Sequence, residues 1–386
     1  MIHPLPMNRH GNPPQEVGNE SSNFIRDRSA SSSGFTIVEL LVAAGILSLI
    51  VALLLTMVSQ TSKTWQSTKG KIEEFRDARD AFDSISRRIG QATLNTYLDY
   101  NNPTNPTAYI RQSELRFLAG PTEQILAGMQ ANLQTTNPSM AVFFQAPNGF
   151  TTNASNSLLQ NALNTWGYFL EYAGDSNSRP SFLPFGAPPA RYRYRLMELM
   201  EPTENLSVYN YTSGHQGYTN IDWISNSLVL PPTNRPAHVL AENVVALIIL
   251  PKLTPTDIAA WNQTNNVYSN SSLAPDYVYD SSVNRNSNSF PIDPRLNTHN
   301  QLPPVIQITL VAVDEASAVR FSSAYQNLMS NNAAQGGYAD LFTNAANFTN
   351  DIAQLQSNLV SKKLNYRVFT TDIMIKGAKW SSAQTN

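Results

Sequence analysis

Glu39 occupies the position in this chain that most needs a chemical explanation. It lies near the start of Phe35 to Val58, a run of 24 mainly apolar residues with no other charged side chain. Membrane insertion scales assign an unfavourable free energy to an acidic side chain in such a segment. Phe35 and Glu39 are four residues apart and share one face of a helix, so a positive group at residue 35 could pair with the carboxylate and offset that cost.

The rest of the sequence contains no arrangement typical of a catalytic or metal site. With no cysteines, thiol catalysis, thiolate ligands and disulfides are excluded. Motifs such as H-E-x-x-H and G-x-S-x-G are absent. The histidines lack metal-ligand spacing: His3, His10, His215, His238 and His299. Carboxylates at Asp276 to Asp280 and Val313 to Glu315 could bind calcium, but without an EF-hand arrangement we expect solvated loop acids. We therefore predict no enzymatic activity and no cofactor.

Length and charge narrow the class of protein further. The chain has 386 residues, enough for a membrane anchor and one sizeable domain. Its formal net charge of −2 and the lack of a Lys/Arg-rich run argue against nucleic-acid binding. Charged residues make up only 14% of the chain, and this favours, weakly, an extracytoplasmic surface.

The run from Phe35 to Val58 is long enough to cross a membrane. As a helix it would extend about 36 Å, against a hydrocarbon core of about 30 Å. It is too long for the core of a cleaved secretory signal, and the small residues "SASSSG" precede it rather than follow it. Any cleavage should therefore fall on its N-terminal side and leave the anchor in the mature chain. Lys and Arg flank both ends and do not set the orientation.

The motif "GFTIVE", Gly34 to Glu39, resembles the processing site of type IV prepilins and of the pseudopilins of type II secretion. The resemblance implies cleavage after Gly34 by a prepilin peptidase/methyltransferase, N-methylation of Phe35 and a role for Glu39 in assembly. The amine exposed at Phe35 would be the counter-charge of Glu39, within one chain or between neighbouring pilin-like subunits. The implied location is the bacterial inner membrane, in contact with its lipid, with the leader (1–34) cytoplasmic and the head periplasmic.

A helical pattern continues beyond the membrane segment. Apolar residues recur at helical spacing and form one stripe: Trp65, Ile72, Phe75, Phe82, Ile85 and Ile89. Opposite charges three and four residues apart lie between them. We predict an amphipathic stalk helix over 59–95 that packs its stripe on a globular head.

From about residue 110 to 386 the pattern is that of a β-rich head. Apolar runs predict strands in "SELRFLAG", "MAVFFQAP" and "TWGYFLEYAG", central strands in "ENVVALIIL" and "PPVIQITLVAVDE", and a closing strand in "YRVFTTDIMIKGAKW". In "RYRYRLMEL", Arg191 to Leu199, arginines alternate with apolar residues, which predicts a half-buried strand with its arginines on a solvated face. The other interpretation is an arginine patch for an anionic partner.

Two further segments complete the predicted head. The Asn/Ser-rich stretch of about 254–301 contains little that could form a core and predicts an exposed insertion. Residues Thr349 to Leu364 predict a helix capped by Thr349 or Asn350, with Asp351 in its first turn. The fold class we expect is α+β, with a long N-terminal transmembrane and stalk helix packed on a β-rich head.

This order of elements resembles a minor pseudopilin of the type II secretion J kind. Three or four head segments, including "RYRYRLMEL", are similar to the Verru_Chthon cassette protein C family of pilin-like proteins. The resemblance implies a non-enzymatic subunit of a type II secretion or type IV pilus-like assembly. Two alternatives stay open: a signal-anchored periplasmic enzyme or receptor, and a filament-borne adhesin that binds carbohydrate or a surface through exposed tyrosines.

Overall fold

The computed structural model describes residues 34–126, 139–175, 191–209, 222–231, 234–259, 272–283, 297–320 and 341–381. The chain divides into two units, residues 1–65 and 66–386. Most of the predicted leader, residues 1–33, and the side chain of Ile72 lie outside the described part.

The principal helices are α1 (Ile37–Ile89), α2 (Thr122–Ile125), α3 (Asp222–Leu228), α4 (Glu315–Arg320) and α5 (Phe348–Ser361). The described strands are β1 (Tyr97–Tyr100), β2 (Tyr109–Gln112), β3 (Leu118–Pro121), β4 (Met140–Ala146), β5 (Asn164–Gly174), β6 (Tyr192–Glu201), β7 (Ala237–Glu242), β8 (Val244–Lys252), β9 (Tyr279–Asp280), β10 (Val305–Val313) and β11 (Tyr366–Met374). A long apolar helix followed by β-rich, antiparallel sheets confirms the predicted α+β class.

All strand pairs between these elements are antiparallel, and they form three sheets. The largest has the order β7-β6-β5-β4-β3-β9, the second has the order β11-β10-β8, and β1 and β2 form a separate two-stranded ribbon. β10 is central, as predicted. β8 is at an edge of its sheet, contrary to the prediction, yet it is buried because it packs against β4, where the Ile249 N–H contacts Met140 Sδ at 3.2 Å.

The C-terminal part of α1 packs on the head as the apolar stripe predicted, whereas Trp65, the first residue of that stripe, is 73% exposed. Phe82, Ile85 and Ile89 are buried with the three-stranded sheet in one core, and Phe82 lies 5.8 Å from the ring of Phe369 on β11. The helix ends at Ile89 rather than near Asn95. A tight turn follows, in which the Gly90 N–H donates to Ser86 O and the Gln91 N–H to Arg88 O.

The six-stranded sheet is covered on both faces. One face contributes Phe144, Tyr168 and Leu196 to the core shared with α1 and the three-stranded sheet. The other face contributes Phe143 and Phe169 to a second cluster that α3 covers. A sheet covered on both sides leaves no solvated face for polar residues to occupy.

The prediction that the arginines of this segment lie on a solvated face is therefore wrong for Arg193 and Arg195, although Arg191, just before β6, is exposed. Arg193 and Arg195 are only 5% and 6% exposed. Each reaches a carboxylate: Arg193 Nη2 lies 2.8 Å from Glu315 Oε1, and Arg195 Nε lies 3.1 Å from Glu242 Oε1. Their charges are neutralised within the head.

The Asn/Ser-rich stretch was also predicted wrongly to lack core residues. Among its described residues, Leu273, Tyr277 and Tyr279 are fully buried in the main core, and Tyr279 pairs with Ala119 as part of β9. Helix α5 starts at Phe348, one residue before the predicted start. Asp351 lies in its first turn, as expected, but the predicted caps are wrong, because Asn347 occupies the N-cap position after a short 3-10 turn.

Candidate functional site

The start of α1 is stabilised by a reciprocal pair of hydrogen bonds between Thr36 and Glu39. The Thr36 N–H and hydroxyl both donate to Glu39 Oε2 at 3.0 Å, and the Glu39 N–H donates back to Thr36 Oγ1 at 3.2 Å. This is a capping box, which satisfies backbone N–H groups that a helix start otherwise leaves unpaired. Glu39 therefore has a structural role within its own chain, before any partner is considered.

The capping box leaves part of the Glu39 carboxylate available. Both bonds from Thr36 go to Oε2, and within the described residues Oε1 accepts no hydrogen bond. Because a carboxylate can accept several hydrogen bonds, Oε1 is free to meet a cation while the cap remains in place.

Gly34 and Phe35 lie just before the helix, outside any helix or strand, and both are exposed. Phe35 is 86% exposed, and a methyl group added at Gly34 would meet no atom within 4 Å. The peptide bond between them is thus sterically accessible, as a scissile bond must be. An effect of a Gly34 substitution on cleavage would have to arise in the protease, because the chain itself tolerates the added carbon.

The helix from Ile37 to Gln66 is apolar enough to cross a membrane. Its mean hydropathy is 2.8 over the most apolar window, and none of that window is buried within the described structure. Hydroxyl side chains along it donate to carbonyls of the same helix, as Ser48 does to Gly45 O and Thr56 to Leu53 O. Their polar groups are therefore satisfied without water or a partner, which suits a lipid environment.

A charged cluster joins the second half of α1 to the head. The sequence did not predict this cluster. Arg88 forms an ion pair with Glu198 Oε1 on β6, and Tyr168 on β5 donates to the same oxygen at 2.8 Å. His238 Nε2 on β7 lies 2.8 Å from Glu198 Oε2. The Arg88 guanidinium also lies 4.1 Å from the ring centroid of Trp166.

This Arg88–Glu198 cluster is largely shielded from solvent at its centre. The Glu198 side chain is only 3% exposed and needs the donors that surround it. Burial raises the pKa of Tyr168, so that the phenol stays protonated and donates. Burial, with the nearby Arg88 charge, lowers the pKa of His238, and a neutral imidazole carrying its proton on Nε2 can donate to Glu198.

The carboxylates considered for calcium are engaged in other contacts. Asp280 pairs with the guanidinium of Arg116, whose Nε donates to Asp280 Oδ1 at 2.9 Å. Glu315 accepts from Arg193 and from the Asn243 side chain at 2.8 Å. Within the described residues no group of three or more His, Asp or Glu side chains could hold a metal ion.

The features assembled so far define a class of protein. Among the described residues, one N-terminal helix is long and apolar enough to serve as a membrane span or signal anchor, and it is joined to a β-rich head, in an architecture consistent with that of pilins. Comparison with models of protein families, with curated proteins and with solved structures finds no match to this chain.

Proposed function

We propose that this chain is a membrane-anchored, pilin-like subunit that is processed by a prepilin peptidase/methyltransferase. It would be a minor pseudopilin of a type II secretion or type IV pilus-like assembly, and not an enzyme. It would be held in the bacterial inner membrane with its head in the periplasm.

One observation supports the proposal most strongly. The Gly34–Phe35 bond lies in accessible backbone directly before a capped apolar helix that begins at Ile37. Cleavage there would leave an amine two residues from the helix start and close in sequence to Glu39. The unpaired Oε1 of Glu39 is then a suitable acceptor for the amine of the same or an adjacent subunit.

The packing of the stalk supports the same proposal. The apolar half of α1 has no partner in the described structure, whereas the other half is buried in the head core at Phe82, Ile85 and Ile89. A filament built from such subunits would use the apolar half as its polymerisation surface and carry the head outside. An enzyme or receptor on a simple anchor would not require Glu39 or a bond cut at Gly34.

The role of the Glu39 charge in assembly can be separated experimentally from the role of Glu39 in the capping box. Glu39→Gln keeps a side chain that can complete a capping box but removes the charge, and Thr36→Ala removes the cap but keeps the charge. We expect both variants to insert into the membrane. Co-purification with partner pilins should be lost from Glu39→Gln and retained, though reduced, in Thr36→Ala.

The opposite pattern would contradict the proposal. Unchanged recovery of partners with Glu39→Gln would show that no ion pair is made by the carboxylate. Glu39→Val, which removes both the cap and the charge, should insert and fail to assemble.

A further inference from the structure

A groove of about 460 Å³ lies on the head at the base of the β1–β2 ribbon. Leu94, Leu98 and Leu302 line its apolar part, and Asn300, Arg111 and Lys379 line its polar part. It is remote in sequence from Gly34 and Glu39, and none of its lining residues belongs to the Arg88–Glu198 cluster.

Hydrogen bonds hold the floor of the groove in place. The Asn300 side chain donates to the carbonyl of Arg111 at 2.6 Å, with Asn300 itself in left-handed backbone at φ 53°. The Gln301 side chain donates to Ser381 O at 3.0 Å and accepts from the Ser381 N–H at 2.6 Å. A groove fixed in this way loses little conformational entropy when a ligand enters.

The charged side chains that line the groove are all positive. Arg111 and Lys379 are its charged lining residues, and no carboxylate lines it within the described part of the chain. Arg111 Nη1 donates to the carbonyl of Lys379 at 3.3 Å, the one hydrogen bond that its side chain makes to described residues. A guanidinium has five N–H donors, so most of them remain for an anionic ligand.

An exposed aromatic surface continues from the groove along the ribbon. Tyr100 and Tyr109 are cross-strand partners, and their rings stack at a centroid distance of 5.1 Å. They are 47% and 66% exposed. Leu98 and Arg111 are also cross-strand partners, and each lies two residues along its strand from one of the tyrosines. Because side chains two residues apart in a strand point to the same side, all four side chains lie on one face of the ribbon.

We propose that this ribbon and groove bind an acidic polysaccharide, a chain of sugar rings that carry carboxylates. The apolar C–H face of a sugar ring packs on an exposed tyrosine ring, and ring carboxylates pair with Arg111 and Lys379. The tyrosine pair, Arg111 and the groove follow one another along the ribbon, as the binding positions for an extended, repeating chain would. A neutral glycan would offer neither cation an anionic partner.

Binding can be measured with the full-length chain in detergent micelles. Oligomers of polygalacturonate serve as the acidic probe, dextran as the neutral control and polyglutamate as an acidic chain without sugar rings. We expect polygalacturonate to bind, more weakly as salt is added, and the other two to bind at least tenfold more weakly.

Two sets of variants locate the site. Arg111→Gln combined with Lys379→Gln should lower the affinity for polygalacturonate at least tenfold, and Tyr109→Ser should lower it several-fold. Lys362→Gln, a lysine after helix α5 that does not line the groove, is the matched control and should leave affinity unchanged.

Three results would overturn the proposal. They are the absence of polygalacturonate binding, binding that the groove variants leave unchanged, and polyglutamate binding of equal or greater affinity, which would indicate an acidic polypeptide partner instead. The site does not depend on processing at Gly34, so the two proposals succeed or fail separately.

Discussion

The Arg88–Glu198 ion pair should contribute strongly to the attachment of the stalk helix, and Arg88→Met tests this. Methionine keeps the unbranched apolar stem of the side chain and removes the charged guanidinium. Glu198, 3% exposed, would keep Tyr168 and His238 as donors but lose its only fully charged partner among the described residues.

The expected loss of stability follows from this environment. Removing one partner of a buried ion pair costs about 3–5 kcal/mol. The Arg88 side chain is 30% exposed and two donors to Glu198 remain, so the lower part of that range applies. Loss of the contact with Trp166 adds about 0.5–1 kcal/mol. We expect the free energy of unfolding of the head to fall by about 3.5–5 kcal/mol.

Urea denaturation of the full chain in detergent, followed by near-UV circular dichroism, measures this change. Arg87→Met is the matched control, because Arg87 is exposed on the same helical turn, and it should change stability by less than about 0.5 kcal/mol. In a double-mutant cycle, adding Glu198→Gln should recover part of the loss. A loss below about 1 kcal/mol for Arg88→Met, or one equal to that of Arg87→Met, would refute the reasoning.

Three further predictions concern processing, packing and pH. Gly34→Ala should block removal of the leader, seen as an unshifted band on a gel, whereas Gly45→Ala, also in open space, should be processed normally. Gly167→Ala should destabilise the head by about 1–3 kcal/mol, because its Cβ would lie 2.3 Å from the buried Phe143 ring; normal thermal stability would contradict this packing. Because the pKa of His238 is lowered in the folded head, protonation favours the unfolded chain, and thermal stability should fall as the pH drops below about 6.5. His238→Gln should reduce that dependence, and an identical pH profile would exclude His238 as its source.

Much of the head could be predicted because its signals are local. Continuous or alternating apolar runs predicted β4, β5, β6, β8, β10 and β11 close to their observed positions. The stripe Phe82, Ile85 and Ile89 predicted which face of the stalk is buried. These patterns depend only on the period of a helix or strand and on hydrophobicity.

The errors came from features that depend on the rest of the fold. The environment of Arg193 and Arg195 could not be predicted from alternation in β6, because Glu315 and Glu242 come from other segments and cover them. The burial of Tyr277 and Tyr279 likewise depends on packing against distant strands, although their neighbours in sequence are polar.

The candidate sites also differ in whether local sequence or the rest of the fold determines them. The sequence predicted Gly34, Phe35 and Glu39, but it did not predict the capping box, although Thr-x-x-Glu before an apolar run is a recognisable signature. The Arg88–Glu198 cluster has no such signature, because its members come from α1, β5, β6 and β7. Only the pairing of those strands brings them together.

Mass spectrometry of the mature N-terminus tests the central proposal most directly. The full chain should be expressed in a bacterium with a prepilin peptidase/methyltransferase, purified from the inner membrane and digested. The proposal predicts an N-terminal peptide that begins with N-methylated Phe35 and lacks residues 1–34. Recovery of an intact Met1 terminus in the membrane-inserted protein would contradict it.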